Sequence, residues 1–427
     1  MVSHTEDNSP EPDLPAPVGA PHIGLQRLLS PFASLSNRDF RLLWLGQLGQ
    51  GSTMWAEQVA RSWLIWELTG SAMALGLVNL SRAVPLLVLG MWGGVAADRF
   101  DRRKLLILMQ AWNMLIFIAM AVLILGEWIQ VWHIYLTASL LGIGMALIQP
   151  VRTSWVPQMV GQTHLMNALS LNSVAMNATR LVGPVLIGVL IAMANAGIAY
   201  IIAAGLSVVV ILSTALIRTP RLRETGERRS MTGQLMEGFS FMLRDRLVLL
   251  LVLIGLGPLA FAFSYVTLLP VLAAEVLNMG SGGFGALLSV SAVGGLTGSL
   301  IVASRRDIAH KGRLMIAAGS GYGVVIVLLG GAQLAVLAFP IIALAGACQT
   351  VFRTANTTSL LGVTPRQLQG RIFSMTLLYT AMAPVASVLA GKISDELNVS
   401  TAMAVIGGVC ILIVAGIALL EPRLRRL

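Results

Sequence analysis

Apolar runs follow one another along this chain in a regular beat from about residue 41 to 420, separated by short polar or glycine-containing breaks. A helix needs about 20 apolar residues to cross roughly 30 Å of hydrocarbon. By that measure the runs read as spans at 41–68, 72–97, 104–126, 130–151, 165–194, 197–217, 247–275, 281–304, 312–331, 334–355, 371–391 and 400–420. None shows the alternation of a barrel strand, so each is expected to be helical, the form that satisfies its own backbone groups in lipid. The pattern predicts an all-α membrane protein with twelve transmembrane helices. An even number places both termini on one side.

The polar stretches divide the chain. Residues 1–38 begin with Glu6, Asp7, Glu11 and Asp13 and are broken by Pro10, Pro12, Pro15, Pro17 and Pro21. Such a composition buries too little apolar surface to fold, and it lacks the basic-then-apolar order of a signal peptide, so it predicts a disordered tail. The basic stretch 218–246 separates a first half, 39–217, from a second, 247–427. The halves echo one another at an offset of about 200–209: Gln149 and Arg152-Thr153 recur as Gln349 and Arg353-Thr354, and Gly183-Pro184 stands opposite Ala383-Pro384. A half-length repeat predicts two pseudo-symmetric six-helix bundles with a substrate site between them near the midplane.

Composition narrows the class. Of 427 residues, 56% are hydrophobic and 11% charged, and the mean hydropathy is +0.80. That excludes a water-soluble globular protein. The net charge of +10 would suit a nucleic-acid binder only if gathered on one exposed face. Instead, 25 of the 29 Lys and Arg fall in the tail, the even-numbered connections or the C-terminus, among them Arg99 to Lys104, Arg218 to Arg246, Arg305 to Arg313 and Arg423 to Arg426. Basic residues accumulate on the cytoplasmic side. Both termini are therefore expected in the cytoplasm, with the chain in the cell (inner) membrane and the lipid bilayer, not nucleic acid, as its partner. Cys348 and Cys410 form no CxxC pair, His4, His22, His133, His164 and His310 are scattered, and no GxxxxGK[ST] loop occurs. No metal and no cofactor are expected, and a proton gradient is the expected energy source.

Charges inside the spans require an explanation, since each costs at least about 2.5–3.5 kcal/mol at the bilayer centre. In helix 1, positions 47, 50, 54, 57 and 61 recur at a spacing of three to four, so Gln47, Gln50, Glu57 and Arg61 share one face. Helix 2 adds Asn79 and Arg82, and helix 5 adds Ser173, Asn177 and Arg180. Glu57 is read as the proton carrier, Arg61 as the group tuning it, and Arg82 and Arg180 as contacts for anionic or polar substrate groups; a packed structural ion pair is the competing reading. The second half offers Tyr265, Tyr379 and several methionines, which suit large, partly apolar ligands.

After helix 2 the chain reads Gly94-Val95-Ala96-Ala97-Asp98-Arg99-Phe100-Asp101-Arg102-Arg103-Lys104. This resembles the loop 2–3 signature of the major facilitator superfamily, G-x-x-x-D-R-x-G-R-R, with Asp101 where the family has Gly. The resemblance is closest to the twelve-span branch of enterobactin-type exporters and drug/proton antiporters. Asn37-Arg38-Asp39-Phe40-Arg41, Leu68-Thr69-Gly70-Ser71 and Gly370-Arg371 add to it, while the second-half copy, Arg305-Arg306-Asp307, has lost its leading Asp. The resemblance implies the major facilitator fold and alternating access. It implies a cytoplasmic gate built from Gly90, Gly94, Asp98, Arg99, Arg102, Arg103, Gly370 and Arg371, with Asp98 facing the start of helix 11. Gly90 and Gly94 are also spaced to let helix 2 lie close against a neighbour. Gly183, Pro184 and Gly188 resemble a shortened antiporter motif and imply export. The expected function is proton-coupled export of a small amphipathic molecule, siderophore-like or drug-like, by a monomer. A facilitator or importer is the alternative, and a membrane enzyme or sensor a distant one, because no convergent nucleophile–base pair or appended soluble domain is evident.

Overall fold

The computed structural model describes residues 34–99, 101–218, 239–304, 310–365, 368–369, 372 and 375–426, with the backbone alone at 91–99, 162–163, 377 and 426. Ten helices are long and apolar enough to cross a membrane, and no strand occurs among the described residues. In chain order the long helices are α1 (Arg38–Thr69), α2 (Ala72–Arg99), α3 (Arg102–Leu125), α4 (Val131–Gly161), α5 (His164–Met193), α6 (Ala196–Ala215), α7 (Arg246–Val276), α8 (Gly280–Ser304), α9 (Lys311–Gly330), α10 (Ala335–Val363), α11 (Leu377–Glu396) and α12 (Val399–Leu420). The ten exclude α1 and α11. Alone among these helices, α7 is irregular, with π turns at Gly257–Phe261 and Leu272–Val276. Pro258 and Pro270 lie in or beside those turns, where a missing backbone donor loosens the helical ladder.

Helix ends follow local chemistry. Asn37 caps α1, accepting from the amides of Asp39 and Phe40 at 3.0 and 3.1 Å, and its own amide donates to the Met159 carbonyl at 2.8 Å. The segment resembling a family signature before helix 1 is thus a cap that ties α1 to the end of α4. Asp101 caps α3 through the Lys104 amide at 3.0 Å, which explains an acid where the resembling family carries glycine. Gly70 ends α1 in the left-handed region, φ 57°, and Gly161 separates α4 from α5 at φ 65°.

Several expected boundaries are corrected. Ser34 to Ser36 form a helical turn inside the stretch expected as tail, with Ser34 held by Asn167 and by the His164 carbonyl. α4 runs past residue 151 to Gly161, α10 past 355 to Val363, and α11 past 391 to Glu396. In each case polar residues that read as connection are the continuation of a helix.

α1 packs against α5 and α6, α3 against α6, α8 against α10, and α9 against α10 and α12. Two helix pairs make the most extensive contacts between the first half of the chain and the second, α2 with α11 and α5 with α8, and α7 adds lighter contacts with α1 and α2. Both pairs are tightest at the end of the molecule bearing the short loops, where glycines bring backbones together. A Cβ at Gly76 would lie 2.6–2.7 Å from the backbone of Ser387 and Val388. Gly391 lies against Ala72, Gly188 against Ser281 and Gly285, and Gly285 against the Pro184 carbonyl. Trp63 of α1 stacks near Phe284 of α8, with ring centroids 6.3 Å apart. Toward the basic end the contact fades: Gly90 meets nothing within 4 Å, and Val84 and Val88 are 51% and 57% exposed. Among the described residues the close approach of α2 falls at Gly76, and none is seen at Gly90.

Candidate transport site

Glu57 is 2% exposed and accepts at both carboxylate oxygens. Arg61 Nε donates to Oε1 at 2.6 Å, and Arg82 from α2 donates to Oε2 at 2.6 Å. The i, i+4 spacing in α1 places the first partner one turn along the same face. The second arrives because Gly142 of α4 lets the α2 backbone approach at Arg82. One carboxylate between two guanidiniums leaves the cluster with a net positive charge, a costly arrangement in a low-dielectric interior unless polar groups or water share it. A cavity adjoins it, lined by Gln50, Thr53, Met54, Asn113, Met145 and Gln149 as well as Glu57 and Arg82.

The ion cluster does not end at Arg61. Arg61 donates to Asn79 Oδ1 at 3.1 Å, and the Asn79 amide donates to Thr267 Oγ1 at 3.1 Å. Thr267 donates to Ser387 Oγ at 3.0 Å, and Ser387 to the Ala383 carbonyl at 2.9 Å. This chain runs from α1 through α2 and α7 to α11, across the line between the two halves of the sequence.

The remaining candidates are placed apart. Asn177 is exposed and Arg180 half-buried on α5, and Arg180 has no ion-pair partner among the described residues. Tyr265 is buried, bonded to Ser291 at 2.9 Å and edge-on to Tyr322. Tyr379 is buried against Gly255. Both tyrosines pack inside the second half and do not join Glu57. Gly183 lies against Trp55, with a Cβ there 3.0 Å from that side chain, while Pro184 and Gly188 form the α5–α8 contact.

In the expected gate, Arg102 is buried and donates to the Ser154 carbonyl at 3.2 Å, and Arg103 donates to the Ala215 carbonyl. They bind α3 to α4 and to the end of α6. The side chains of Gly94, Asp98 and Arg99, and all of Gly370 and Arg371, lie outside the described residues.

Two residues were missed from the sequence. Arg152, grouped there with the basic connections, is 5% exposed and donates to Gln47 Oε1 at 2.7 Å, with no partner for its Nε. Placing the end of helix 4 at 151 hid it; its position on the helical stripe facing Gln47 was the available signal. Asp395, read as loop, closes the last turn of α11 and reaches the start of α2. Its signal was a spacing: Ser387, Gly391 and Asp395 in α11 repeat that of Gly90, Gly94 and Asp98 in α2.

Apolar helices around a buried ion cluster, with close helix contacts joining the two halves at the short-loop end, define a polytopic membrane protein of the transporter kind. The chain belongs to the transmembrane secretion effector family of the major facilitator superfamily, whose model matches residues 29–427. It is 26% identical to the staphyloferrin A transporter of Staphylococcus aureus over 357 residues, 83% of this chain and 89% of that one. It is 27% identical to the enterobactin exporter EntS of Shigella boydii over 340 residues, 78% of each. Among solved structures it resembles the nucleoside transporter NupG, with a TM-score of 0.70 at 13% identity over 90% of this chain and 98% of that one. It also resembles a POT peptide transporter, with a TM-score of 0.72 at 14% identity over 91% and 95%. At these identities the structural likeness concerns the fold alone.

Proposed function

We infer that this protein is a proton-coupled exporter of small amphipathic molecules, siderophore-like or drug-like, working by alternating access. Its fold is read as twelve transmembrane helices in two six-helix bundles, with the basic end and both termini cytoplasmic. The observation that carries the reading is Glu57, a buried carboxylate held by Arg61 and Arg82 beside a cavity. An acid at membrane depth is kept when it is paired, hydrated or intermittently protonated. Glu57, held in its anionic form by Arg61 and Arg82, can accept a proton or a hydrogen-bond-donating or cationic group of a substrate, but not both. Substrate and proton thus compete for one carboxylate, the condition an antiporter needs. Two relatives named for transport or export of staphyloferrin A and enterobactin support the siderophore-like class.

In this reading Arg180 and Asn177 extend the polar surface on α5, Tyr265 and Tyr379 shape the opposing half, and Asp98 with Arg99 latches the cytoplasmic gate against Gly370 and Arg371. Pro184 and Gly188 set the close α5–α8 contact about which the halves rock, and Gly183 seats α5 against Trp55 of α1. The test is flux in proteoliposomes under an imposed pH gradient, with a panel of siderophores and cationic drugs. Accumulation of a panel member that collapses when the gradient is dissipated is the expected result. Gradient-independent equilibration would favour a facilitator.

A further inference from the structure

At the short-loop end, Asp395 of α11 caps a helix to which it does not belong. One carboxylate oxygen accepts from the Ala72 amide at 2.6 Å. The other accepts from Ser71 Oγ at 2.5 Å and from the Met73 amide at 3.1 Å. These are the free donors of the first turn of α2, and an acid is favoured there both as acceptor and as a charge against the helix dipole. No residue of α2's own sequence supplies an acid in that turn. The carboxylate arrives over 320 residues away in sequence, carried by the contact of Gly391 with Ala72. One to two turns deeper the same seam holds Gly76 against Ser387 and then the Asn79–Thr267–Ser387 hydrogen bonds, which lead to Arg61 and Glu57.

We propose that Asp395 is the latch of the outer gate. It holds α2 and α11 together while the molecule is open toward its basic end, and it must leave the α2 N-terminus for the outer side to open. The inference rests on the transporter reading but concerns a different residue and end of the molecule. It follows from three features of the contact. Among the described residues of the seam, the cap is where charge, rather than backbone proximity, holds the halves. Asp395 is exposed while the Ala72 backbone it caps is buried, so water reaches the carboxylate and can take it up when it leaves the α2 N-terminus. The bonds beneath it end on the ion cluster, so rearrangement of Arg61 removes the lower support of the same seam.

The experiment uses the full-length chain in lipid nanodiscs, with Cys348→Ser and Cys410→Ser and spin labels at Ala194→Cys and Leu334→Cys, two exposed positions on opposite halves at the short-loop end. Pulsed electron spin resonance reads their separation. The unaltered latch should give mainly the shorter distance. Asp395→Ala should raise the ratio of long to short distances roughly fivefold, the factor lost with one helix N-cap. Asp395→Asn should fall between, and Glu396→Ala, one residue on and outside the cap, should change nothing. An unchanged distribution in Asp395→Ala, or an equal shift in Glu396→Ala, would overturn the proposal. The distances report the seam whether or not anything is transported. Absence of gradient-driven flux in the unaltered chain would instead count against the transporter reading, so the two failures are distinct.

Discussion

The two halves of the chain echo one another in sequence and are stabilised by different chemistry. The interior of the first holds Glu57, Arg61, Arg82 and Arg152, with Gln47 and Asn113 among them. The corresponding interior of the second has no ion pair among the described residues and relies on Tyr265 with Ser291, Tyr322, and Tyr379 beside Asn356. The repeat makes the contrast specific: Arg152 is buried on Gln47, whereas its counterpart Arg353 is exposed. One half concentrates groups that change charge and partner. The other supplies a surface against which they work, linked to them by Asn79 and Thr267.

The largest test of this contrast removes the shared carboxylate. Glu57→Ala leaves two buried guanidiniums without a counter-charge, and breaking such a cluster costs on the order of 3–5 kcal/mol. We expect a pronounced fall in the melting temperature of the purified protein in detergent. No single polar-to-alanine change in the second half should match it. A smaller effect separates the repeat-related arginines. Arg152→Ala leaves Gln47 Oε1 unpaired in the interior and should cost about 1–3 kcal/mol, while Arg353→Ala on the exposed face should stay within about 0.5 kcal/mol. Equal shifts in melting temperature would show that the halves do not differ as described.

The smallest test lies inside the second half. Tyr265→Phe deletes a hydroxyl bonded to Ser291 and should cost roughly 0.5–1.5 kcal/mol. Tyr322→Phe deletes a buried hydroxyl with no hydrogen-bond partner and should be neutral or stabilising. Thermal melts of the two variants side by side read the difference. A larger loss in Tyr322→Phe would place an unseen partner at that hydroxyl.

What the sequence disclosed followed from how strongly lipid constrains a chain. Apolar runs fixed the helices because hydrocarbon leaves the backbone no other option. The Glu57–Arg61 pairing was legible because both lie on one helix face at a four-residue spacing. Arg82 was legible as a costly charge, but its partner was not, because the α2–α1 contact is a product of tertiary packing at Gly142. Arg152 and Asp395 were hidden by one error. Polar residues at the end of an apolar run were read as loop, whereas helices that pack on other helices carry polar groups past the apolar stretch when a partner such as Gln47 or the start of α2 awaits them. Tyr265 and Tyr379 were read as cavity groups from residue type alone, which could not disclose that they pack against Tyr322 and Gly255.

The account turns on Glu57 as the group through which proton and substrate are exchanged. The direct measurement follows proton movement with a pH-sensitive dye in proteoliposomes loaded with a transported member of the siderophore and drug panel. The unaltered protein and Glu57→Gln are compared after each is shown to be folded and monodisperse. The account predicts that outward substrate movement drives opposite proton movement in the unaltered protein. In Glu57→Gln, downhill substrate exchange should persist without proton movement, and accumulation against a gradient should be lost. Proton-coupled accumulation retained in Glu57→Gln would contradict it, leaving the Arg61–Glu57–Arg82 cluster as a structural tie between α1 and α2.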